Sequence, residues 1–283
     1  MSSYILRISP AAPNGRTEQI VQGGSSFVWE GLTNGQAYQL QVQAHNLAGG
    51  SEWSQFSAPE VPAREPGPPG RPTTTPSRPC GAQAQIAGSW APPGSDNGDR
   101  VADYTLTVRR GGETVRTVRG ISGTSQNVTV DTNSTPYTFT VTARNKAGSS
   151  DPSPASAPRQ AANPHGAPTE LSIEPGDRRV TVGFTRGALN GNSAGQLTWR
   201  YRVSPGGAPG TLPEGGAITG LTNGTSYRVE IWATSDVEGV EPGDSATTGA
   251  AVPFGRPIVT LQGIDSLDNA VRFRWSVNDN GRP

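Results

Sequence analysis

Three stretches decide the fold: Gly31-Leu32-Thr33-Asn34-Gly35-Gln36-Ala37-Tyr38, Val130-Asp131-Thr132-Asn133-Ser134-Thr135-Pro136-Tyr137 and Gly220-Leu221-Thr222-Asn223-Gly224-Thr225-Ser226-Tyr227. Each sets an apolar anchor, a bend and a tyrosine in that order, then enters alternation. The alternating sets are Tyr38, Leu40, Val42, Ala44; Tyr137, Phe139, Val141, Ala143; and Tyr227, Val229, Ile231, Ala233. Successive side chains of a strand point to opposite faces, so each set lines one face of one strand. Asn34-Gly35 and Asn223-Gly224 suit a bend that needs positive φ. The middle copy carries one more residue between its anchor, Val130, and its tyrosine. The tyrosines recur at roughly 90–100 residues, the size of a small domain.

Outward from these stretches the pattern stays short and alternating. Residues 1–62 open on Tyr4, Leu6 and Ile8, continue through a strand at 18–22 and through Phe27 and Trp29 facing the same core as Leu32, and close with a strand from Trp53 to Ala58. Residues 66–161 read as one complete unit: Ala84 and Ile86 lead to Trp90, then come Tyr104, Leu106 and Val108, a Gly111-Gly112 hairpin with its return strand, and Val128 and Val130 before Tyr137. Residues 164–252 repeat the plan with Leu171, Ile173, Val180, Val182, Phe184, Trp199, Tyr201 and Val203. Residues 256–283 start a fourth unit that reaches Val271, Phe273 and Trp275. Proline-rich joints separate the units (Pro59–Pro72, Ala157–Pro168, Val252–Pro257) and read as semi-extended linkers. Helical spacing never persists beyond about one turn. The expected class is all-β, with about seven strands per whole repeat packed as two sheets.

Composition narrows the function. Hydrophobic content is 32%, with Gly 37 and Pro 26 in 283 residues. Such values accompany disorder in some chains, but here the apolar residues alternate in register beside Trp and Tyr, as small sandwiches require. Lys+Arg 23 balances Asp+Glu 23, and no basic block is long enough to follow a phosphate backbone, which excludes nucleic acid as a partner. Lys146 is the only lysine, a skew that points to a GC-rich bacterial source. Cys80 is the only cysteine, so no intramolecular disulfide forms, and its expected place is buried or half-buried. No apolar run has membrane-spanning length, and the opening residues lack the basic and apolar regions of a signal peptide.

A Trp near the end of one strand, an Asn-Gly loop, a Tyr-x-Leu-x-Val strand, then Leu-Thr-Asn-Gly-x-x-Tyr and a closing Ala-x-Asn-x-Ala-Gly together resemble the fibronectin type III domain. The marks are Trp90, Tyr104, Tyr137, Ala143, Asn145 and Gly148 in the second unit, and Tyr4, Leu32, Tyr38, Ala44, Asn46 and Gly49 in the first. In the third they are Phe184 in place of the usual Trp, Tyr201, Leu221, Tyr227, Ala233 and Gly239, and in the fourth Trp275 and Asn280-Gly281. The resemblance implies immunoglobulin-like sandwiches with sheets ABE and C′CFG, strung as beads, and a tyrosine pinned beneath each E–F turn. On that plan the first unit lacks strands A and B, the fourth has only A and B, and the stretch reads as a window cut from a longer array. The resemblance also implies an extracellular or cell-surface setting.

The sequence offers no catalytic, cofactor-binding or metal-ligating residue. His45 alternates outward and His165 lies in a joint; neither has a second imidazole or a thiol at ligand spacing. Asp96, Asn97 and Asp99, like Asn278, Asp279 and Asn280, crowd loops without an EF-hand spacing and read as solvated turns. Glu238 and Glu241 lie in a loop with no pocket signal. The F–G loops after Asn46, Asn145 and Ser235 contain no Arg-Gly-Asp, so integrin binding does not transfer. Asn127, Asn133 and Asn223 begin glycosylation sequons, which bear only on a eukaryotic source. The expected function is a non-catalytic extracellular spacer, scaffold or adhesion array; the alternative is an accessory linker of a secreted polysaccharide-degrading enzyme. Expected partners are protein or cell-wall polysaccharide, without nucleic acid or membrane insertion. Head-to-tail self-association is also expected, the fourth unit of one molecule completing the first of another.

Overall fold

A computed structural model describes residues 3–281. Strands β1 (Ser3–Ser9), β2 (Glu18–Gln22), β3 (Gln39–Asn46) and β4 (Gly49–Gly50) form a sheet in the order β2-β1-β3-β4. Strands β5 (Thr73–Thr74), β6 (Arg78–Cys80), β7 (Gln83–Ser89), β8 (Asp103–Arg110), β9 (Glu113–Ile121), β10 (Ser125–Asp131), β11 (Asn133–Asn145), β12 (Gly148–Ser149) and β13 (Arg159–Ala161) follow. They make one sheet ordered β10-β7-β5, with β6 also on β7, and another ordered β12-β11-β8-β9, with β13 also on β11. Strands β14 (Thr169–Gly176), β15 (Arg179–Thr185), β16 (Leu197–Ser204), β17 (Gly210–Thr211), β18 (Ala217–Thr219), β19 (Arg228–Ser235) and β20 (Ala246–Thr247) give β14-β15-β18 and β17-β16-β19-β20. Strands β21 (Ile258–Leu267) and β22 (Ala270–Asn278) pair as a hairpin. The architecture is a succession of antiparallel sheets forming tandem immunoglobulin-like β-sandwich modules, as the alternation requires.

By packing, the chain divides into two compact units, one of Met1–Thr75, Ala87–Asn127 and Tyr137–Pro158, the other of Pro76–Ile86, Val128–Pro136 and Arg159–Pro283. In the first unit, the β1–β3 register places Tyr4 opposite Ala44, Leu6 opposite Val42 and Ile8 opposite Leu40, which gathers the apolar residues on one face. Ile8 and Tyr38 are buried, yet Leu40 and Val42 are each 39% exposed. Phe27 and Trp29 depart from expectation: residues 24–37 form no strand, Phe27 is exposed, and its ring packs edge-on against Trp29 at 6.2 Å. Alternation supplies a face but not a hydrogen-bonding neighbour, and a lone strand without one is not stable. Further along this unit Trp90, Tyr104, Leu106, Val108, Ile121, Tyr137, Phe139, Val141 and Ala143 are buried. Trp90 and Tyr104 meet edge to face at 5.7 Å, and Gly88 backs so closely on the Phe139 ring that a Cβ there would sit 3.0 Å from it.

The segment read as a last strand, Trp53 to Ala58, is instead a ladder of serines spaced by three. Ser51, Ser54 and Ser57 donate their amides to the carbonyls of Ala44, Val42 and Leu40. Their hydroxyls accept from the amides of the same three residues at 3.1, 3.0 and 3.1 Å. Ser150, Ser153 and Ser156 repeat the arrangement on Ala143, Val141 and Phe139. A period of three is that of an extended polyproline II chain, which the intervening Pro152 and Pro154 favour. Each serine thereby restores both hydrogen bonds that a regular strand would have made with its neighbour.

In the second unit Val180, Val182, Val203, Ile218, Tyr227, Val229, Ile231 and Ala251 close one core drawn from both sheets, with Leu171, Ile173, Phe184, Trp199, Tyr201, Leu212 and Leu221 partly buried against it. Ser77, Ala162 and Asn163 tie the run after β13 to the start of β7: the Ala162 amide donates to Ser77 Oγ at 3.2 Å, and Asn163 Nδ2 donates to the carbonyls of Gly81 and Gln83, each at 3.1 Å.

Candidate functional site

Tyr38, Tyr137 and Tyr227 are buried. The Thr33 amide donates to Tyr38 Oη at 3.1 Å and the Thr222 amide to Tyr227 Oη at 3.2 Å, so the hydroxyl accepts from the preceding turn. At both places the turn presents an N–H and the hydroxyl is the acceptor. Tyr137 Oη accepts from Arg110 Nη1 at 3.2 Å, with the guanidinium 5.8 Å from the ring centre. The Thr222 amide favours the phenolate and holds the Tyr227 pKa below the usual phenol value, whereas burial pushes Tyr104 above it.

The polar residues singled out in the sequence are occupied structurally. His45 is half-buried, with Nε2 3.0 Å from Gln43 Oε1. His165 is not a linker residue in the packing sense: it is 2% exposed, its ring stands edge-on to Trp199 at 5.3 Å, and its Nδ1 lies 2.6 Å from the Gly166 carbonyl. Flanking prolines set the extended backbone but do not decide whether a side chain docks. In the loop of Asp96 and Asp99, oxygens turn inward: Asp96 Oδ1 accepts from the Gly98 amide and Asp99 Oδ2 from the Lys146 amide. Glu238 pairs with Arg159 at 2.6 Å. Asp103 binds the Arg144 guanidinium and raises its pKa. Cys80 is exposed at the end of β6, against the expectation of burial. Trp53 lies beneath the Arg7 guanidinium at 4.1 Å, which in turn pairs with Glu18 at 2.8 Å.

Asn145 has a role that its place in the motif did not disclose. It is buried, and its Nδ2 donates to the carbonyls of Arg64, Asp96 and Asp99 while its Oδ1 accepts from the amides of Ala147 and Gly148. One side chain thus fastens a turn, a loop and the segment ahead of the sandwich.

Among the described residues, apolar surface lies open over the first sheet and on the last hairpin. A groove over the first sheet is lined by Tyr4, Leu6, Val21, Phe27, Leu40 and Val42. On the β21–β22 hairpin the register sets Val259 opposite Val277, Leu261 opposite Trp275 and Ile264 opposite Phe273, and all six are more than half exposed. Among the described residues no group of three or more His, Cys, Asp or Glu is placed to hold a metal ion, and no helix is long and apolar enough to cross a membrane.

A family model, the fibronectin type III domain, matches residues 72–159. Over that span the fold is that of a non-catalytic structural module, and the sheets before and after it repeat its strand order. The chain is therefore a tandem arrangement of β-sandwich domains resembling fibronectin type III folds.

Proposed function

We propose that this chain is a non-catalytic extracellular or cell-surface scaffold, a spacer whose product is the placement of successive modules at 1–62, 66–161, 164–252 and from 256 onward. The observation that carries the reading is that the chain leaves one sandwich and enters the next on hydrogen-bonded backbone. Pro62 O accepts from the Gly35 amide, Asn97 O from Arg64, Asn190 O from Asn163, and Pro253 O from Gly224, all within 3.0 Å. Polar side chains are spent on turns and loops, as Asn145 illustrates. The open groove of the first sheet and the apolar hairpin face support head-to-tail association of two copies, a contact that does not close on itself.

The test has two arms on the 1–283 protein. Incubation with polysaccharide, peptide and ester substrates is expected to give background turnover; turnover above buffer that one polar substitution abolishes overturns the reading. Sedimentation velocity is expected to show concentration-dependent association that Phe273→Ser with Trp275→Ser removes. A species that stays monomeric at high concentration refutes the association.

A further inference from the structure

The connections between sandwiches are built three times from the same parts. In each, an Asn-Gly pair in the loop after β7, β15 or β22 meets the turn before the tyrosine of the preceding sandwich. Asn97, Asn190 and Asn280 all have positive φ, at 53, 49 and 51°. Their carbonyls accept from the amides of Arg64, Asn163 and Gly255 at 3.0, 2.9 and 2.9 Å. Their Nδ2 atoms donate to the carbonyls one residue further on, Glu65, Pro164 and Arg256, at 2.6, 2.7 and 3.0 Å. One asparagine side chain and its own backbone thus grip two consecutive linker residues in every joint.

The following glycine seals the grip. Gly98, Gly191 and Gly281 have φ of 94, 87 and 91°. A Cβ on Gly98 would fall within 3.0 Å of the Gly35 amide and Pro62 carbonyl, on Gly191 of the Asn133 amide and Ala161 carbonyl, and on Gly281 of the Gly224 amide and Pro253 carbonyl. Backbone meets backbone at each place, which only glycine permits, and the left-handed φ is one glycine adopts freely. Gly35, Asn133 and Gly224 belong to the three stretches that define the repeat, so the turn that pins the tyrosine also receives the next module.

We infer that these contacts form a repeated clasp that fastens each linker's backbone to the turn before it and the loop after it, making the joints fixed connections in place of free proline-rich linkers. The inference rests on the spacer reading and specifies how the spacing is set. Side-chain composition of the linker is free to vary, as Pro62, Ala161 and Pro253 do, because the clasp reads linker backbone. The Asn-Gly pair and the small, tight turn are what the joint demands.

Electron–electron distance measurement on the full chain tests this. Spin labels at Gln22→Cys and Glu113→Cys, in a Cys80→Ser background, lie on either side of the first joint at exposed positions. A single narrow distance distribution is expected for this parent. Gly94→Val, in the same loop but with open space around it, is expected to leave the width unchanged. Gly98→Val and, independently, the milder Asn97→Ala are expected to widen the distribution at least twofold while the thermal transition of the full chain is retained. A broad distribution in the parent overturns the clasp, as does a narrow one in both joint variants. Either result leaves the non-catalytic scaffold standing, and turnover in the substrate panel would overturn the scaffold without altering these distances.

Discussion

Ser153 and Ser54 hold the same place in two serine ladders and differ in exposure, so a pair of Ser→Ala substitutions isolates what the hydroxyl contributes. In each, Oγ accepts from a strand amide at 3.0 Å, Val141 for Ser153 and Val42 for Ser54. In each the serine amide also donates to the same residue's carbonyl, at 2.8 and 3.0 Å, and that bond survives truncation. Ser153 is 4% exposed and Val141 is fully buried, so Ser153→Ala leaves a buried N–H without an acceptor. That desolvation penalty is about 1–3 kcal/mol. At Ser54, which is exposed, water takes the place of the hydroxyl and the change stays within about 0.5 kcal/mol. For a sandwich of this size about 1 kcal/mol lowers the melting temperature by about 4–8 °C. Hydrogen exchange on peptides covering 137–145 and 38–46, read beside thermal melts, separates the two sites. Unchanged protection and melting in Ser153→Ala refutes the ladder as a source of stability. An equal loss in Ser54→Ala refutes the burial argument.

Removing the hydroxyl in Tyr227→Phe takes the acceptor from the Thr222 amide and should cost about 0.5–1.5 kcal/mol in urea unfolding of the third sandwich, whereas unchanged stability would show that the turn is held by its backbone alone. Tyrosine absorbance titration is expected to show Tyr227 ionising below the usual phenol value of about 10 and Tyr104 above it. Because its folded pKa is raised, the contribution of Tyr104 is full below the unfolded pKa and is lost as pH climbs through the folded value; the contribution of Tyr227, whose folded pKa is lowered, is full above the unfolded pKa and is lost as pH falls through the folded value. Stability of the second sandwich should therefore fall above about pH 10 in a manner that Tyr104→Phe suppresses, and a parallel decline in that variant would assign the effect elsewhere.

How much of this was legible in the sequence follows from the range of each interaction. Strand faces are local: a period of two names them, and Ala84, Ile86, Leu106, Val108, Phe139, Val141, Val229 and Ile231 are buried as the alternation requires. Tyr38 and Tyr227 are local too, since each bonds a turn amide five residues earlier, whereas Tyr137 takes its partner from Arg110. The serine ladder is equally local but has a period of three, which a search for periods of 2 and 3.6 passes over; Ser51-x-x-Ser54-x-x-Ser57 and its copy at 150–156 were in view. The surroundings of Phe27 and His165 were not legible for the opposite reason. Whether an apolar or aromatic side chain is covered depends on what arrives from elsewhere in the chain. Nothing near residue 27 supplies the missing strand, while Trp199 comes to His165 from 34 positions away.

The joints show the same limit, because composition marks extended backbone and leaves open what that backbone is bonded to. Proline content establishes extended backbone with few donors, and the same composition serves a free tether and a pinned one. The difference lies in whether a distant group satisfies the linker's remaining amides and carbonyls. Here it does: Asn97, Asn190 and Asn280 reach linker residues 32, 26 and 24 positions earlier. An Asn-Gly pair announces a turn from sequence alone, as positive φ demands, but a turn needs no partner. Recurrence was the available signal. Asn-Gly stands at 97–98, 190–191 and 280–281, after β7, β15 and β22 in the three units that have a predecessor, and a bend required only by hairpin geometry has no reason to keep one residue pair in each of these loops. A constraint on identity at a fixed place in successive repeats, where local geometry would accept several residues, points to a contact outside the loop.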